Sequence, residues 1–177
     1  MTDLATRSAY ATHAEPATLT LERVLPGPIE QVWAYLVKSE LRRQWPAAGD
    51  MELKMGATFE LVWRNDELTD PPGTRPEGFG DEHRMECTIT ELDPPHRLGF
   101  TWGRSAGVSF ALEPKGKDVL LTLVHRRLPD RGVMLMVGAG WHAHLDLLVA
   151  RRTGATPAPH WDHWTRLKAE YEKRLPG

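Results

Sequence analysis

The sequence has a single cysteine, Cys87, and no marked excess of charge. One cysteine excludes an intramolecular disulfide framework and any cysteine-rich zinc site. The 22 Lys and Arg residues nearly balance the 24 Asp and Glu residues, which argues against a surface devoted to nucleic acid or to an anionic membrane. No apolar run approaches the ~20 residues that span a bilayer, and the N-terminus lacks the apolar segment of a secretory signal. We therefore expect a cytoplasmic protein with no nucleic-acid or membrane partner.

The apolar residues that are present suffice for one hydrophobic core. The chain has 177 residues, of which 41% are hydrophobic, and this composition excludes wholesale disorder. A chain of this length suits one domain. Residues 1–17 are small and polar without periodicity, so we predict a flexible N-terminal tail followed by a single domain over residues 18–177.

Apolar residues alternate in six stretches, as they do in half-buried strands. The first stretch, 18–25, is followed by Pro28 and by apolar residues at helical spacing over Ile29–Val37, and Ser39 favours a short second helix. The other stretches are joined by short turns, which predicts an antiparallel meander. They cover residues 58–63, 83–92, 98–102, 108–112 and 119–125.

Helical spacing returns after Asp130. The apolar residues of Met134–Leu148 cluster within about a third of the helix circumference. Gly138 and Gly140 are costly inside a helix, by about 1 kcal/mol each relative to alanine, so they indicate either a close backbone approach or a late helix start. Residues 160–174 predict a charged terminal helix.

The stretch 65–81 is rich in acidic residues, glycine and proline and has few apolar anchors. A loop of that length inside a compact domain is usually functional or disordered. A mobile hairpin tip and a lid over a pocket are both compatible with this composition.

Several motifs carry a resemblance to a known family. The most diagnostic is the run Ile89–Trp102, and the other matching residues are Arg23, Pro28, Val32, Trp33, Trp45, Gly56, Phe59, Leu61, Trp63, Leu121–His125 and Gly140–Asp146. Over about residues 18–175 the sequence resembles the SRPBCC (START/birch-pollen-allergen-like) superfamily. Within it, the chain is similar to the branch named for activators of the heat-shock protein 90 ATPase.

This resemblance implies an α+β helix-grip fold. In that fold a curved antiparallel sheet wraps around a long C-terminal helix, two short helices follow the first strand, and a cavity often separates sheet and helix. Members of the superfamily include ligand carriers, cyclases, hydrolases and chaperone partners, so the fold alone does not decide the activity.

Three histidines share the predicted inward faces: His83, His125 and His144. Histidine titrates near neutral pH, so each is a candidate for acid–base catalysis. The alternative is that each is a core histidine with a structural hydrogen bond. Catalysis also requires a partner within hydrogen-bonding distance, and the sequence does not supply that distance.

If the inward faces converge, they form an apolar pocket with a few polar groups, as small-molecule sites do. We predict that this pocket binds a small hydrophobic molecule. The residues predicted to line it are Trp63, His83, Met85, Trp102, Phe110, Leu123, His125, Met134, Trp141, His144 and Leu148.

Other polar residues receive structural interpretations. His142 and Asp146 have i, i+4 spacing, and we predict a surface pair. His160 and His163 provide at most two metal ligands on one helix, so we predict a solvated helix, no metal and no cofactor. Cys87 is predicted to lie in the core, where a thiol is a poor nucleophile.

Three hypotheses for the function follow. The first is a non-catalytic protein that binds a small apolar or aromatic molecule. The second is a cyclase-like or hydrolase-like enzyme that acts on such a molecule through the pocket histidines. The third is an interaction module that regulates a chaperone ATPase. Because the meander has edge strands, a monomer and a homodimer both remain open.

Overall fold

A computed structural model of the chain describes residues 8–175. Six strands form one antiparallel sheet in the order β1-β6-β5-β4-β3-β2, and four helices accompany it in the described part of the chain. The strands are β1 Leu19–Pro26, β2 Thr58–Trp63, β3 His83–Asp93, β4 Arg97–Trp102, β5 Ala106–Lys115 and β6 Asp118–Arg126; the helices are α1 Ile29–Val37, α2 Ser39–Arg42, α3 Arg131–Thr153 and α4 His160–Arg174.

The sheet is built from neighbouring hairpins, with one long connection that places β1 beside β6. Leu21 pairs with Leu123 across β1 and β6, and Leu123 pairs in turn with Phe110 of β5. These side chains therefore share the face of the sheet that carries the core. The predicted α+β helix-grip architecture, with two short helices after the first strand, is confirmed.

Helix α3 begins directly after Asp130, where helical spacing was predicted to return. The side chain of Asp130 caps the helix by accepting a hydrogen bond from the Val133 N–H at 2.9 Å. Gly138 and Gly140 therefore lie well inside α3, and a late helix start is wrong. At Gly138 a β-carbon would come within 3.5 Å of Leu19 and 3.7 Å of the Tyr171 ring. These are ordinary van der Waals distances, so a close backbone approach does not account for this glycine either.

Among the helices of residues 8–175, α3 alone is long and apolar enough to cross a membrane by length and composition. The expectation that no apolar stretch approaches this length was therefore wrong. Most of the apolar window of α3 is buried inside the fold, which is also typical of a core helix.

Two hydrophobic clusters hold the layers together. The first cluster contains the inward residues of the sheet, the buried face of α1 and one side of α3. The second joins the other side of α3 to α4, and its largest members are Trp161, Trp164, Leu167 and Tyr171. Helix α4 is therefore an amphipathic packing helix, and the prediction of a solvated terminal helix is wrong for this face.

Residues 8–17, the described part of the predicted tail, contact the folded domain. Thr12 forms a backbone bridge with Thr20 of β1. The Ala11 N–H donates a hydrogen bond to the Tyr171 hydroxyl of α4 at 2.8 Å. The rest of the predicted tail, residues 1–7, lies outside the described residues.

The 65–81 segment starts with a single turn of 3₁₀ helix and then passes over the start of α4. It satisfies N–H groups that a helix leaves free at its first turn. The Thr69 hydroxyl accepts from the His160 N–H, and the Pro72 carbonyl accepts from the Trp161 N–H, each at 2.9 Å. In return Asp162 accepts from the Thr74 N–H at 2.9 Å.

Candidate functional site

The space between the sheet and α3 is filled by aromatic side chains. The rings of Trp45 and Phe110 are 6.2 Å apart, and those of Phe110 and Trp141 are 5.8 Å apart. The gap that they leave has a volume of about 20 Å³, which is room for about one water molecule. The predicted pocket in the middle of the grip is therefore absent from the described structure.

A larger cleft lies to one side, where the ends of β2, β3 and β4 meet α3, α4 and the 65–81 segment. Its volume is about 410 Å³. One wall consists of Trp63, Trp102 and Trp141, which we call the sheet-side tryptophans. Trp102 touches both of the others, with ring centroids 5.5 Å and 5.4 Å apart. These contacts make one continuous aromatic surface.

The opposite wall consists of Phe79, Trp161 and Trp164, which we call the helix-side aromatics. Phe79 comes from the 65–81 segment and packs 5.0 Å from Trp161 and 5.2 Å from Trp164. The Trp161 indole N–H donates to the Asp66 carboxylate at 2.7 Å, so its ring orientation is fixed. The 65–81 segment thus forms part of the wall itself.

The polar groups of the cleft gather at one end, which we call the imidazole end, formed by Asn65, His144 and His160. The His144 Nε2 atom lies 3.1 Å from the Asn65 side-chain oxygen. The rings of His144 and His160 stack with centroids 5.0 Å apart and an interplanar angle of 29°. Both imidazoles are buried, and His160 is only 2% exposed.

Burial keeps both of these imidazoles neutral at pH 7. It lowers the pKa of His160 to about 4, with His163 adding to the effect. Burial also lowers the pKa of His144 well below its ordinary value, and the neighbouring His160 contributes. No carboxylate contacts either ring within hydrogen-bonding distance among residues 8–175.

His125 lies behind the sheet-side tryptophans and is fully buried. Its Nδ1 atom accepts a hydrogen bond from the Trp141 indole N–H at 3.0 Å. Because an indole nitrogen can only donate, the neutral ring carries its own proton on Nε2. Burial lowers the pKa of His125 to about 4. This histidine therefore orients Trp141 and does not face the cleft.

The residues predicted to bind a ligand divide into two groups. Those that line the cleft are Trp63, His83, Trp102, Trp141 and His144, with His83 exposed at the rim beside Trp63. The others lie elsewhere: Phe110, Leu123 and Leu148 are buried in the first cluster, His125 is buried behind the sheet-side tryptophans, Met85 packs against the first cluster, and Met134 packs against the second. Their positions differ from the prediction because aromatic rings occupy the centre of the grip.

Asn65, Phe79, His160, Trp161 and Trp164 line the cleft but were not predicted. The overlooked signal is an apolar stripe on α4, in which Trp161, Trp164, Leu167 and Tyr171 follow one another at spacings of three or four residues. That pattern predicts a helix with one buried face. No comparable periodicity marks Asn65 or Phe79, which reach the cleft through the tertiary path of the loop.

The predicted surface pair of His142 and Asp146 belongs instead to a largely buried network. Asp146 contacts His142 at 3.4 Å, His163 at 2.7 Å and Arg23 at 3.2 Å. The Tyr171 hydroxyl lies 2.9 Å from the His142 Nδ1 atom. The network therefore links β1, α3 and α4. Among residues 8–175 no group of three or more His, Cys, Asp or Glu side chains is placed to hold a metal ion.

The sheet, the two short helices and α3 define a helix-grip protein of the α+β class. Within this class, the chain belongs to the family described as activator of Hsp90 ATPase homolog 1-like protein, a family of the SRPBCC superfamily, whose profile matches residues 26–151. This match ends before α4, the helix that supplies His160, Trp161 and Trp164 to the cleft.

Solved structures are similar over almost the whole chain. A solution NMR structure of a Bordetella parapertussis protein is 36% identical, with a TM-score of 0.79, and the alignment covers 94% of this chain and 90% of that one. CalU16 from Micromonospora echinospora is 19% identical, with a TM-score of 0.63 and coverage of 93% and 91%. A conserved protein of unknown function from Enterococcus faecalis is 18% identical, with a TM-score of 0.69 and coverage of 93% and 90%. No curated protein matches the chain.

Proposed function

We propose that the chain binds a small aromatic molecule between the sheet-side tryptophans and the helix-side aromatics, without catalysing its conversion. The observation that carries this proposal is the cleft of about 410 Å³, in which two aromatic walls face each other and the polar groups gather at one end. Pockets of this size and composition are typical of small-molecule sites.

The volume of the cleft sets the size of the ligand. A protein cavity of about 150 Å³ holds one benzene molecule. By that measure, about 410 Å³ accommodates two or three aromatic rings. The 65–81 segment borders the cleft, because Phe79 belongs to the wall and its neighbours Gly78 and Gly80 also line it, so movement of the segment would change the width of the opening. The segment thus serves as the lid.

The histidines of the cleft support binding more than catalysis. An efficient general acid or base has a pKa near the working pH. The pKa of His160 is about 4, that of His144 is also strongly lowered, and an amide contacts His144 where a catalytic dyad has a carboxylate. Both rings are therefore suited to hydrogen bonding as neutral groups.

The test is calorimetric titration with phenol, 2-naphthol and 9-phenanthrol, which have one, two and three rings. We expect the affinity to rise from one ring to two or three. Trp164→Leu removes one wall and should weaken binding about tenfold. The matched control is Trp33→Phe, a change in the core of α1 away from the cleft, which should leave the affinity unchanged.

Absence of measurable binding for all three compounds would refute the proposal. Equal losses in Trp164→Leu and Trp33→Phe would mean that binding occurs elsewhere or depends only on general stability. Conversion of a bound compound, followed by mass spectrometry, would instead support the enzyme hypothesis.

A further inference from the structure

Some of the indole N–H groups in the walls of the cleft have no hydrogen-bond partner. The N–H groups of Trp141 and Trp161 donate to His125 and Asp66, at 3.0 Å and 2.7 Å. No group of residues 8–175 accepts a hydrogen bond from the other tryptophans of the lining. Because an indole nitrogen can only donate, the two walls hold unused donors and no matching acceptors. These unused donors belong to Trp63, Trp102 and Trp164.

These indole nitrogens differ from the ring nitrogens of His160 in their accessibility. Both nitrogens of His160 lack a partner among residues 8–175 and are sealed inside the fold, so no molecule in the cleft can reach them. The nitrogens of Trp63 and Trp164 keep accessible surface, although the two side chains are only 9% and 7% exposed. The indoles, and not His160, therefore offer hydrogen bonds to a molecule in the cleft.

The Trp164 nitrogen lies beside a position at which α3 has no side chain. Gly140 lies inside α3 and lines the cleft. For a β-carbon at Gly140, the nearest atom outside its own stretch of helix would be Trp164 Nε1, at 4.0 Å. This is an ordinary contact distance, so packing does not require a glycine here, although glycine is unfavourable inside a helix. The missing side chain leaves open space beside the Trp164 N–H.

The charges around the cleft restrict the chemistry of a matching acceptor. No Lys or Arg side chain is among the described residues that line the cleft, and the two imidazoles of the imidazole end are neutral. Glu82 is the one carboxylate of the described lining, and it already pairs with Arg64 and Arg84 at 2.9 Å and 2.7 Å. An anionic acceptor would be buried without a counter-charge, which is strongly unfavourable.

We infer that the cleft selects an uncharged aromatic molecule with a hydrogen-bond acceptor, such as a ring nitrogen or a carbonyl oxygen, and that the Trp164 N–H donates to that acceptor. This inference rests on the proposed function. A molecule that fills the cleft displaces water from the indole N–H, which then lacks a partner unless the molecule supplies an acceptor. Trp164 is thus a specificity-determining residue, and it belongs to α4, beyond the part of the chain that the family profile matches.

The experiment measures the affinities of naphthalene and quinoline at pH 8 by calorimetry, in the wild type and in Trp164→Phe. The two molecules have the same shape, but quinoline carries an acceptor nitrogen and is uncharged at this pH. The ratio of the quinoline affinity to the naphthalene affinity should be about tenfold higher in the wild type, because the variant lacks the N–H. Comparing this ratio between chains cancels the different hydration of the two molecules. Trp33→Phe changes an indole outside the cleft lining and should keep the wild-type ratio.

Further measurements separate hydrogen bonding from shape. Indole carries a donor and no comparable acceptor, so its affinity relative to naphthalene should be the same in the wild type and in Trp164→Phe. Gly140→Ala adds a methyl group beside the Trp164 N–H and should lower the quinoline-to-naphthalene ratio. The same variant should raise the free energy of unfolding in urea, because alanine is the better helix former. The matched control is Gly138→Ala, outside the cleft lining, which should keep the ratio.

A ratio in Trp164→Phe equal to that of the wild type would overturn the role of Trp164 while leaving the proposed function intact. A wild-type ratio in Gly140→Ala would overturn the role of the open space beside the indole N–H. Ionised 2-naphthoate should bind more weakly than quinoline, and tighter binding of 2-naphthoate would overturn the restriction to uncharged ligands. Failure of all four molecules to bind would instead count against the proposed function itself.

Discussion

The stability of this fold should decrease strongly as the pH falls below 7, because four buried histidines resist protonation. Burial lowers the pKa of His125, His142 and His160 to about 4 and that of His144 well below its ordinary value of 6.5. In the unfolded chain these rings have ordinary pKa values and take up protons below pH 6.5. The unfolded state therefore binds more protons than the folded state, and acid favours unfolding.

The size of the effect follows from the pKa differences. For a histidine whose pKa is 6.5 unfolded and about 4 folded, lowering the pH from 7 to 5 removes roughly 2 kcal/mol from the free energy of unfolding. The three histidines with a pKa of about 4 together remove on the order of 6 kcal/mol, and His144 adds to the loss in the same direction. Natural domains have only about 5–15 kcal/mol in total, so acid unfolding should begin near pH 5.

Urea unfolding followed by circular dichroism at pH 7, 6, 5.5 and 5 measures this slope. His160→Phe removes one of the four groups and should reduce the loss between pH 7 and 5 by roughly 2 kcal/mol. His13→Gln, which removes an exposed histidine, is the matched control and should retain the wild-type slope. A free energy of unfolding that stays constant or rises from pH 7 to pH 5 would show that these imidazoles are protonated in the folded chain.

Three other predictions concern separate parts of the structure. Tyr171→Phe removes the hydroxyl that accepts from the Ala11 N–H and contacts His142. It should lower the free energy of unfolding in urea by about 1–3 kcal/mol and speed proteolysis within residues 8–17. Unchanged proteolysis would argue against this anchor. Gly73 has φ +83°, and a β-carbon there would lie 2.8 Å from the Asp162 backbone nitrogen, so Gly73→Ala should lower the free energy of unfolding by more than about 1 kcal/mol. The matched control is Gly116→Ala, where φ is also positive but nothing lies within 4 Å, and it should cost less. Equal losses of stability in the two variants would contradict the close approach at Gly73. Cys87 is buried, and burial raises the pKa of its thiol to about 12. A thiol reagent at pH 8 should therefore label Cys87 at least about a hundredfold faster in denaturant than in buffer. Rapid labelling of the native chain would contradict the core position of Cys87.

Periodicity alone located most of the fold. Alternation identified each strand of the sheet, and the return of helical spacing after Asp130 located the start of α3. These signals are local, because a strand or helix buries the same face along its whole length. The family motifs then supplied the order in which the elements pack, which periodicity does not contain.

The cleft was harder to predict because its position depends on volumes and on long-range packing. An inward-facing residue such as Phe110 or Leu123 can line a cavity or fill it, and only the summed volume of Trp45, Trp141 and their neighbours decides between the two. Trp63 and Trp102 could be predicted from strand alternation, and Trp141 from helical spacing. Phe79 reaches the cleft because the 65–81 segment docks on the first turn of α4, a contact that no short-range pattern encodes.

The two walls of the cleft belong to separate cores, and under the proposed function this separation makes the specificity for a ligand easy to change. The helix-side residues Trp161 and Trp164 pack in the cluster between α3 and α4, whereas the sheet-side residues pack in the cluster under the sheet. A substitution on the first turns of α4 therefore leaves the interior of the sheet undisturbed. Under the proposed binding role, exchange of a few side chains near the start of α4 would change the molecule that the cleft accepts with little penalty to folding.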